Sequence, residues 1–212
     1  MLNVPGGSFY FRMGRNKKNR WQDHYARQAK EKGWLARSVF KLEEIDRKYH
    51  LLSPRDRVLD LGCHPGSWSQ YALSKVGPSG NVVGVDLNEP KGIQDPNFRF
   101  IAADVLSLDL DWLLSEVGIR DVVLSDLAPQ TSGIRDTDAA RSMALAKRAT
   151  EISMTILRQG GLFLCKVFEG EELPRFRGEL QKRFRGIKLF RPKAVRKGSR
   201  EIYVLGDKKL KF

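Results

Sequence analysis

Four charged residues, widely separated in the chain, have the side chains best suited to chemistry: Lys41, Asp126, Lys166 and Glu201. Lys41 lies in an amphipathic, helix-like segment at residues 35–49. The other three lie at the ends of apolar runs of strand length, VVLSD, GLFLCK and EIYVLG. Two ammonium groups and two carboxylates at one rim can position a hydroxyl group and handle its proton. The sequence therefore predicts a proton-handling site, provided that the fold brings the four side chains together.

The elements that must position these residues alternate between strands and helices. Seven runs have the length and apolar character of strands, at residues 57–61, 81–87, 98–104, 121–126, 161–168, 187–192 and 201–206. Helical patterns occupy residues 21–49, 68–75, 111–117, 137–158 and 171–184. The central strands are continuously apolar, which is typical of parallel strands covered by helices on both faces. Right-handed crossovers would connect them into a doubly wound α/β sheet.

Glycine and helix-capping residues indicate where the helices are expected to begin and end. Gly33 is expected to break the first helical segment in two. The longest helix is expected to begin at Thr137, whose hydroxyl can cap it, and to stop at Gly160–Gly161. We expect one domain at residues 19–212, preceded by a flexible basic arm at residues 1–18.

The charge is distributed unevenly along the chain. The net charge is +13, from 38 basic and 25 acidic residues. Residues 12–57 carry 14 basic against 6 acidic side chains, and residues 175–212 carry 14 against 3. Residues 58–174 are acidic, with 10 against 16. Two basic ends around an acidic middle predict a polyanionic partner, because each neutralised phosphate releases condensed counterions.

Cysteine, histidine and apolar content exclude several classes of protein. Cys63 and Cys165 stand alone in apolar runs and are expected to be buried, reduced thiols. With three histidines and no Cys-x-x-Cys pair, a metal site has no obvious ligands. No apolar run approaches the ~18 residues that span a bilayer, and the N-terminus lacks a secretion signal. We expect a cytoplasmic protein with no membrane contact.

A glycine-containing turn follows the first strand, in the motif DLGCHPGSWSQ at residues 60–70. In a doubly wound sheet, ligands bind at the carboxyl ends of the strands. Gly62 and Gly66 would let the backbone pass close to a ligand, and the next helix offers free amide groups. The glycine spacing is not that of a dinucleotide site, which disfavours a nicotinamide oxidoreductase.

Acidic residues end three successive strands. Asp86 could bind both hydroxyls of a ribose, and Asp104 could accept a hydrogen bond from an adenine amino group. Asp126 ends the next strand. Taken singly, each is also an ordinary strand-end residue. Taken together with the glycine turn, they favour a cofactor with a ribose, an adenine and a cationic centre, namely S-adenosylmethionine.

The whole chain resembles the FtsJ/RrmJ family of ribose 2′-O-methyltransferases. The matching motifs are RSVFKLEEID, DLGCHPGSWSQ, VVGVDL, AADV, LSDLAPQTSG, GGLFLCKVFEG and KGSREIYVLG, from Trp21 to Gly206. The resemblance implies a Rossmann-like, S-adenosylmethionine-dependent methyltransferase fold, a seven-stranded, mostly parallel sheet whose last strand is antiparallel. It also implies cofactor contacts at Gly66, Trp68, Asp86, Asp104 and Asp126, although Trp68 could equally be a core aromatic.

The family's set of two lysines and two acids maps onto Lys41, Asp126, Lys166 and Glu201, with Lys166 as the base. The sequence departs from the family at Cys63-His64 and Ser67, where small residues are common, which puts fine positioning of the cofactor in doubt. His64 is a weak rival for the base. We expect Glu201 and Lys166 to face each other across adjacent strands. Lys166 could be the base itself or a cation that orients the hydroxyl.

The implied substrate is RNA, because DNA has no 2′-hydroxyl. A uridine ribose of large-subunit (23S) rRNA in the 50S subunit is the leading target. The alternatives are tRNA, an mRNA cap, and a non-catalytic RNA-binding assembly factor. We expect a monomer whose pocket is flanked by two sets of cations: Arg12, Arg15, Lys17, Lys18, Arg20, Arg27, Lys30, Lys32 and Arg37, and then Arg191, Lys193, Arg196, Lys197 and Arg200. Aromatic residues among them could stack on bases or dock on the domain: Phe9, Tyr10, Phe11 and Trp21.

Overall fold

A seven-stranded β-sheet forms the centre of the molecule. The computed structural model describes residues 17–196 and 198–211, with residues 17–23 described by their backbone alone. The strands are β1 (Arg57–Leu61), β2 (Asn81–Asp86), β3 (Phe98–Ala102), β4 (Arg120–Ser125), β5 (Leu157–Phe168), β6 (Phe184–Phe190) and β7 (Glu201–Lys209). Their order across the sheet is β3-β2-β1-β4-β5-β7-β6.

Strand β7 is the antiparallel member of the sheet. Strands β1 to β5 pair in parallel, whereas β7 pairs antiparallel with both β5 and β6. The start of β7 therefore lies at the edge where β1 to β5 end. This confirms the expected Rossmann-like topology and brings the N-terminal end of β7 to the ligand-binding edge of the sheet.

Helices cover both faces of the sheet, as the apolar strands predicted. They are α1 (Lys17–Glu31), α2 (Val39–Tyr49), α3 (Ser67–Val76), α4 (Leu110–Val117), α5 (Arg135–Ile156) and α6 (Leu173–Gln181). Residues of α4, α5 and α6 pack into one core cluster, and residues of α1, α2 and α3 pack into the other. Cys63 and Cys165 are buried free thiols. None of the described helices is both long and apolar enough to cross a membrane.

The start of α5 differs from the prediction. The helix begins at Arg135, two residues before the expected cap at Thr137. Asp138, in its first turn, accepts hydrogen bonds from the backbone N–H groups of Ser132 (2.7 Å) and Gly133 (3.2 Å). This carboxylate holds the preceding loop against the helix, so the helix starts without a hydroxyl cap.

The end of α5 also differs, because Gly160–Gly161 does not stop the helix. The helix ends at Ile156 and the chain enters β5 directly at Leu157. The glycine pair lies in a bulge of β5, where the register with β4 shifts. A Cβ at position 161 would lie 2.9 Å from the carbonyl oxygen of Asp121, so the bulge requires glycine there. Helix α1 begins four residues before its predicted start at residue 21 and α2 four residues after its predicted start at residue 35, and the remaining elements lie within about three residues of their predicted bounds.

Asp60, on β1, is a fully buried acid in the middle of this fold. Its Oδ2 accepts a hydrogen bond from the Ser69 hydroxyl of α3 at 2.6 Å, while its Oδ1 has no partner among the described residues. Burial raises the pKa of the Asp60 carboxyl to about 7, opposed by the Ser69 hydrogen bond and assisted by the carboxylates of Asp126 and Asp86. Burying an unpaired carboxylate costs free energy, so burial favours the protonated, uncharged form of Asp60.

We expect the Asp60→Asn variant to gain stability relative to the wild type as the pH rises from 5 to 8. The folded state holds the Asp60 proton up to about pH 7, whereas an unfolded aspartate releases it near pH ~3.9. The free energy of unfolding of the wild type therefore falls from about pH 4 to about pH 7, by about 1.4 kcal/mol per pH unit from this group, and the fall ends above pH 7. Urea unfolding of both proteins at each pH measures the difference, and parallel stability curves would contradict it.

Candidate active site

Lys166 and Asp126 form the buried centre of the site. Asp126 is the first residue after β4, and Lys166 lies near the end of the neighbouring strand β5. The Lys166 Nζ lies 2.9 Å from Asp126 Oδ1 and donates to the Asp126 carbonyl oxygen at 2.5 Å. The Lys166 side chain is only 6% exposed. Two of its hydrogen-bonding positions are thus directed at Asp126, which leaves one for a substrate.

Tyr203 connects the two carboxylates, and the sequence analysis missed it. Its hydroxyl lies 2.7 Å from Asp126 Oδ1 and 2.6 Å from Glu201 Oε1. A hydroxyl has one proton, which here lies between two acceptors. Burial, then the charges of Asp126 and Glu201, raise the pKa of Tyr203 well above its ordinary value. A signal was present, since residues two apart in a strand share a face and Tyr203 follows Glu201 by two.

The expected pairing of Glu201 with Lys166 is wrong. The register of β5 and β7 places Lys166 opposite Tyr203, and Glu201 opposite Phe168. The cation next to Glu201 is Lys41 of α2, whose Nζ lies 2.5 Å from Glu201 Oε1. The four predicted residues therefore do meet, joined through Tyr203. The contacts run from Lys166 to Asp126, then through Tyr203 to Glu201 and Lys41.

The charges of this network support one another. Burial opposes the charge on Lys41, but the nearby carboxylates of Asp126 and Glu201 outweigh it and raise the pKa of Lys41. Burial likewise opposes the charge on Asp126, but the cations of Lys166 and Lys41 and the hydrogen bonds from Lys166 and Tyr203 lower the pKa of Asp126. Lys41 is therefore a cation and Asp126 an anion at neutral pH.

Trp68 packs against this network at the Tyr203 ring. It lies on α3, is only 3% exposed, and its ring centroid is 5.8 Å from that of Tyr203. Its indole Nε1 donates to the carbonyl oxygen of Ser38, immediately before α2, at 2.9 Å. This favours the core-aromatic interpretation of Trp68. The indole fixes Tyr203 and the start of the helix that carries Lys41.

The turn after β1 approaches its surroundings too closely for a side chain. Gly62 has φ +77° and Gly66 has φ +114°. A Cβ at Gly66 would lie 2.8 Å from the side chain of Leu35 and 2.9 Å from that of Pro90. The positive φ angles and the close neighbours therefore favour glycine at both positions, and their close approach to a ligand stays a prediction.

The strand-end carboxylates are placed along one edge of the sheet. Asp86 ends β2, and its two oxygens accept the backbone N–H groups of His64 (3.0 Å) and Asn88 (2.9 Å). Asp104 follows β3 and accepts the N–H of Leu106 at 3.0 Å. His64 is exposed and only its backbone reaches Asp86.

The residues present fit S-adenosylmethionine. Carboxylate oxygens of Asp86 and Asp104 each have a lone pair left for a ribose hydroxyl or an adenine amino group. Asp126 Oδ2 has no hydrogen-bond partner among the described residues, because both Lys166 and Tyr203 contact Oδ1. That oxygen is available to the cationic part of the cofactor, beside the catalytic network.

Several of the predicted cations lie around the same rim. Arg37 precedes α2, and burial and the charge of Arg196 lower the pKa of Arg37 while Glu201 raises it. Arg196 is exposed in the β6–β7 connection. Arg191 forms an ion pair with Glu169 at 2.5 Å. The backbone N–H of Lys193 donates to Glu44 at 2.8 Å, which ties this connection to α2.

The other predicted cations divide between α1 and the undescribed residues. Arg27 pairs with Glu31 at 3.6 Å, Lys30 is exposed, and the Lys32 ammonium lies 5.5 Å from the Phe40 ring centroid. Backbone alone is described for a further group: Lys17, Lys18, Arg20 and Trp21. The remaining predictions lie outside the described residues: Phe9, Tyr10, Phe11, Arg12, Arg15 and Lys197.

Comparison with known proteins gives consistent matches. The family described as FtsJ-like methyltransferase matches residues 34–209. A protein of Desulfatibacillum aliphaticivorans, named ribosomal RNA large subunit methyltransferase E, is 47% identical over 190 residues, which cover 89% of this chain and 91% of that protein. A protein of the same name from Methanothermobacter thermautotrophicus is 45% identical over 194 residues, covering 88% of this chain and 92% of its own.

Solved structures agree with the fold. A Plasmodium falciparum structure, described provisionally as a ribosomal RNA methyltransferase, superposes with a TM-score of 0.74 at 27% identity, over 84% of this chain and all of that one. Fibrillarin of Aeropyrum pernix, solved with S-adenosylmethionine, shares the fold alone, with a TM-score of 0.51 at 16% identity over 74% of this chain and 68% of its own. The family match over most of the chain, and the charged network at the end of its sheet, lead to one conclusion: this chain belongs to the FtsJ-like methyltransferase family.

Proposed function

We propose that this protein methylates the ribose 2′-hydroxyl of a uridine in large-subunit (23S) rRNA, with the 50S subunit as substrate. The observation that carries the proposal is the buried Lys166–Asp126 pair, linked through Tyr203 to Glu201 and Lys41. Its relatives at 40–47% identity share the name ribosomal RNA large subunit methyltransferase E, which supports rRNA over tRNA or an mRNA cap. S-adenosylmethionine supplies an electrophilic methyl group when bound.

The chemistry requires help because a ribose hydroxyl is a poor nucleophile until its proton leaves. We assign the acceptance of this proton to Lys166 Nζ. Its two contacts with Asp126 occupy two of the three positions around Nζ, and the third is left for the 2′-hydroxyl. A 2′-hydroxyl in that position would be held and deprotonated by the same atom.

The other members of the network fix this geometry. Asp126 holds Lys166 through both its carboxylate and its carbonyl oxygen. Lys41 neutralises Glu201 at 2.5 Å, so two carboxylates are able to lie on either side of Tyr203. Because all these side chains start from the ends of β4, β5, β7 and α2, the site is rigid. Rigid positioning of the nucleophile supplies part of the rate acceleration.

We expect the Lys166→Ala variant to fold and to bind S-adenosylmethionine, but to methylate at least ~100-fold more slowly, a typical loss for a general base. The measurement is transfer of a radiolabelled methyl group to 50S subunits, free rRNA and tRNA, followed by mapping of the labelled nucleotide. Label in a 23S uridine ribose is the expected product.

Two outcomes of that assay would count against these assignments. Lys166→Arg preserves a cation but an arginine does not act as a base at neutral pH, so it should be as slow as Lys166→Ala. Activity of Lys166→Arg close to the wild type would make residue 166 an orienting cation. Label confined to tRNA would overturn the rRNA substrate.

We expect Tyr203→Phe to lose both stability and activity. Removing the shared hydroxyl takes one buried donor from each of two carboxylates, Asp126 and Glu201, which costs about 1–3 kcal/mol of unfolding free energy. Loss of the fixed geometry should slow methylation about 10-fold. Tyr71→Phe is a matched control, because the Tyr71 hydroxyl also donates to a buried carboxylate, Asp46, at 2.8 Å. The control should lose similar stability in urea unfolding and keep its activity; equal activity of the two variants would remove Tyr203 from the mechanism.

We also propose that the basic rim binds the RNA backbone, and we expect rRNA affinity to fall steeply with salt. Arg196→Ala should reduce the slope of log K against log salt by about 1, the value for one phosphate contact. Arg99→Ala is the control, since Arg99 lies on the edge strand β3 in an ion pair with Glu116. Filter binding at several salt concentrations gives both slopes. A flat salt response of the wild type would argue against the proposed interface.

A further inference from the structure

A cavity of about 590 Å³ opens beside the active site, and the mechanism does not use it. Its floor is formed by Phe168 of β5 and by Ala139 and Met143 of α5. Its rim is charged, with Asp136 and Arg200 among the rim residues. The volume lies within the ~300–1,000 Å³ of small-ligand sites in proteins. An apolar floor with a charged rim suits a flat, polar-edged ring.

The cavity adjoins residues of the proposed site along the chain. Phe168, which lines it, follows Lys166 by two residues in β5, about 7 Å along the strand. Phe168 also lies opposite Glu201 in the sheet, and Arg200 immediately precedes Glu201. A strand of RNA whose ribose is held at Lys166 would therefore place a neighbouring nucleotide at this cavity.

Arg200 is a fixed platform at the rim. Its Nη1 donates to the carbonyl oxygen of Arg135 at 2.7 Å. Its guanidinium lies 5.9 Å from the centroid of the Phe168 ring. Guanidinium planes and aromatic rings are the surfaces on which unpaired RNA bases stack. Because the hydrogen bond already holds Arg200, a base that stacks there does not have to order it.

Two carboxylates on the rim have no partner. Glu169 pairs with Arg191 at 2.5 Å, and Glu172 pairs with Lys147 at 2.7 Å. Asp136 and Glu171 have no hydrogen bond or ion pair to any other described residue. Free carboxylates repel a phosphate but accept hydrogen bonds from the N–H groups of a base. They therefore favour the base of the neighbouring nucleotide over its phosphate.

We propose that this cavity is a subsite for a guanine base next to the methylated nucleotide. Guanine presents two adjacent donors, N1–H and the N2 amino group, which match the two oxygens of one carboxylate. Its O6 acceptor lies beside them. At the corresponding edge, uracil, cytosine and adenine each offer a single donor group, where guanine offers two. The inference rests on the proposed RNA substrate and adds sequence recognition to it.

The test is calorimetric titration of the full chain with 5′-GMP, 5′-AMP, 5′-CMP and 5′-UMP. S-adenosylmethionine is present at saturation, so that no nucleotide enters the cofactor site. The four probes share their phosphate, so differences between them report the base. We expect 5′-GMP to bind at least about fivefold more tightly than 5′-UMP, the lower range for a bidentate contact. Phe168→Leu should weaken all four nucleotides, because it keeps an apolar floor but removes the stacking surface.

A pair of double variants isolates the carboxylates. Asp136→Asn with Glu171→Gln should bring 5′-GMP and 5′-UMP within about twofold of each other. Glu116→Gln with Glu151→Gln removes the same charge from side chains that pair elsewhere, with Arg99 and Arg148, and should leave the preference unchanged. Equal binding of the four nucleotides, or a preference that survives the first double variant, would overturn the subsite. Wild-type methylation of 50S subunits is measured separately: its absence would refute the proposed function, whereas methylation without a guanine preference would refute the subsite alone.

Discussion

The hydroxyl of Tyr203, held between the carboxylates of Asp126 and Glu201, is the contact on which the site depends. Two carboxylates this close repel each other unless a proton or a cation lies between them. Tyr203 provides the proton, and Lys41 and Lys166 provide one cation at each end. Removing any member would take a partner from a buried charge or polar group, which is costly in free energy.

The topology of the sheet makes this network possible. A parallel strand beside β5 would bring its C-terminal end to the ligand-binding edge. Because β7 is antiparallel, its N-terminal end lies there instead, and its first and third residues, Glu201 and Tyr203, lie in the site. Arg200 immediately precedes β7, so the residues proposed for catalysis and for RNA contact come from one short segment. Helix α2 then closes the network from one face with Lys41.

A row of acidic residues marks the cofactor edge, the edge of the sheet at the carboxyl ends of the parallel strands. There the parallel strands β3, β2, β1 and β4 end at one edge of the sheet, and an acidic residue lies at or just after the end of β2, β3 and β4. Backbone N–H groups already hold Asp86 and Asp104, so these carboxylates are fixed before any ligand arrives. Asp126 ends the row of strand-end acids and also belongs to the charged network, in which its Oδ1 contacts Lys166 and Tyr203.

The sequence by itself determined the order and type of nearly all elements, because continuous apolar runs and 3.6-residue periodicity depend on local burial. It also singled out four charged residues that meet in the structure, together with the glycine turn and the strand-end acids. It did not give the start of α5 at Arg135 or the bulge at Gly160–Gly161, since both depend on contacts with other segments. The sequence analysis paired Glu201 with Lys166 and missed Tyr203, because the apolar pattern of a strand does not specify its register with the neighbouring strand. Only the tertiary structure decided which cation neutralises which carboxylate, since those distances arise from the packing of α2 and β7 against β5.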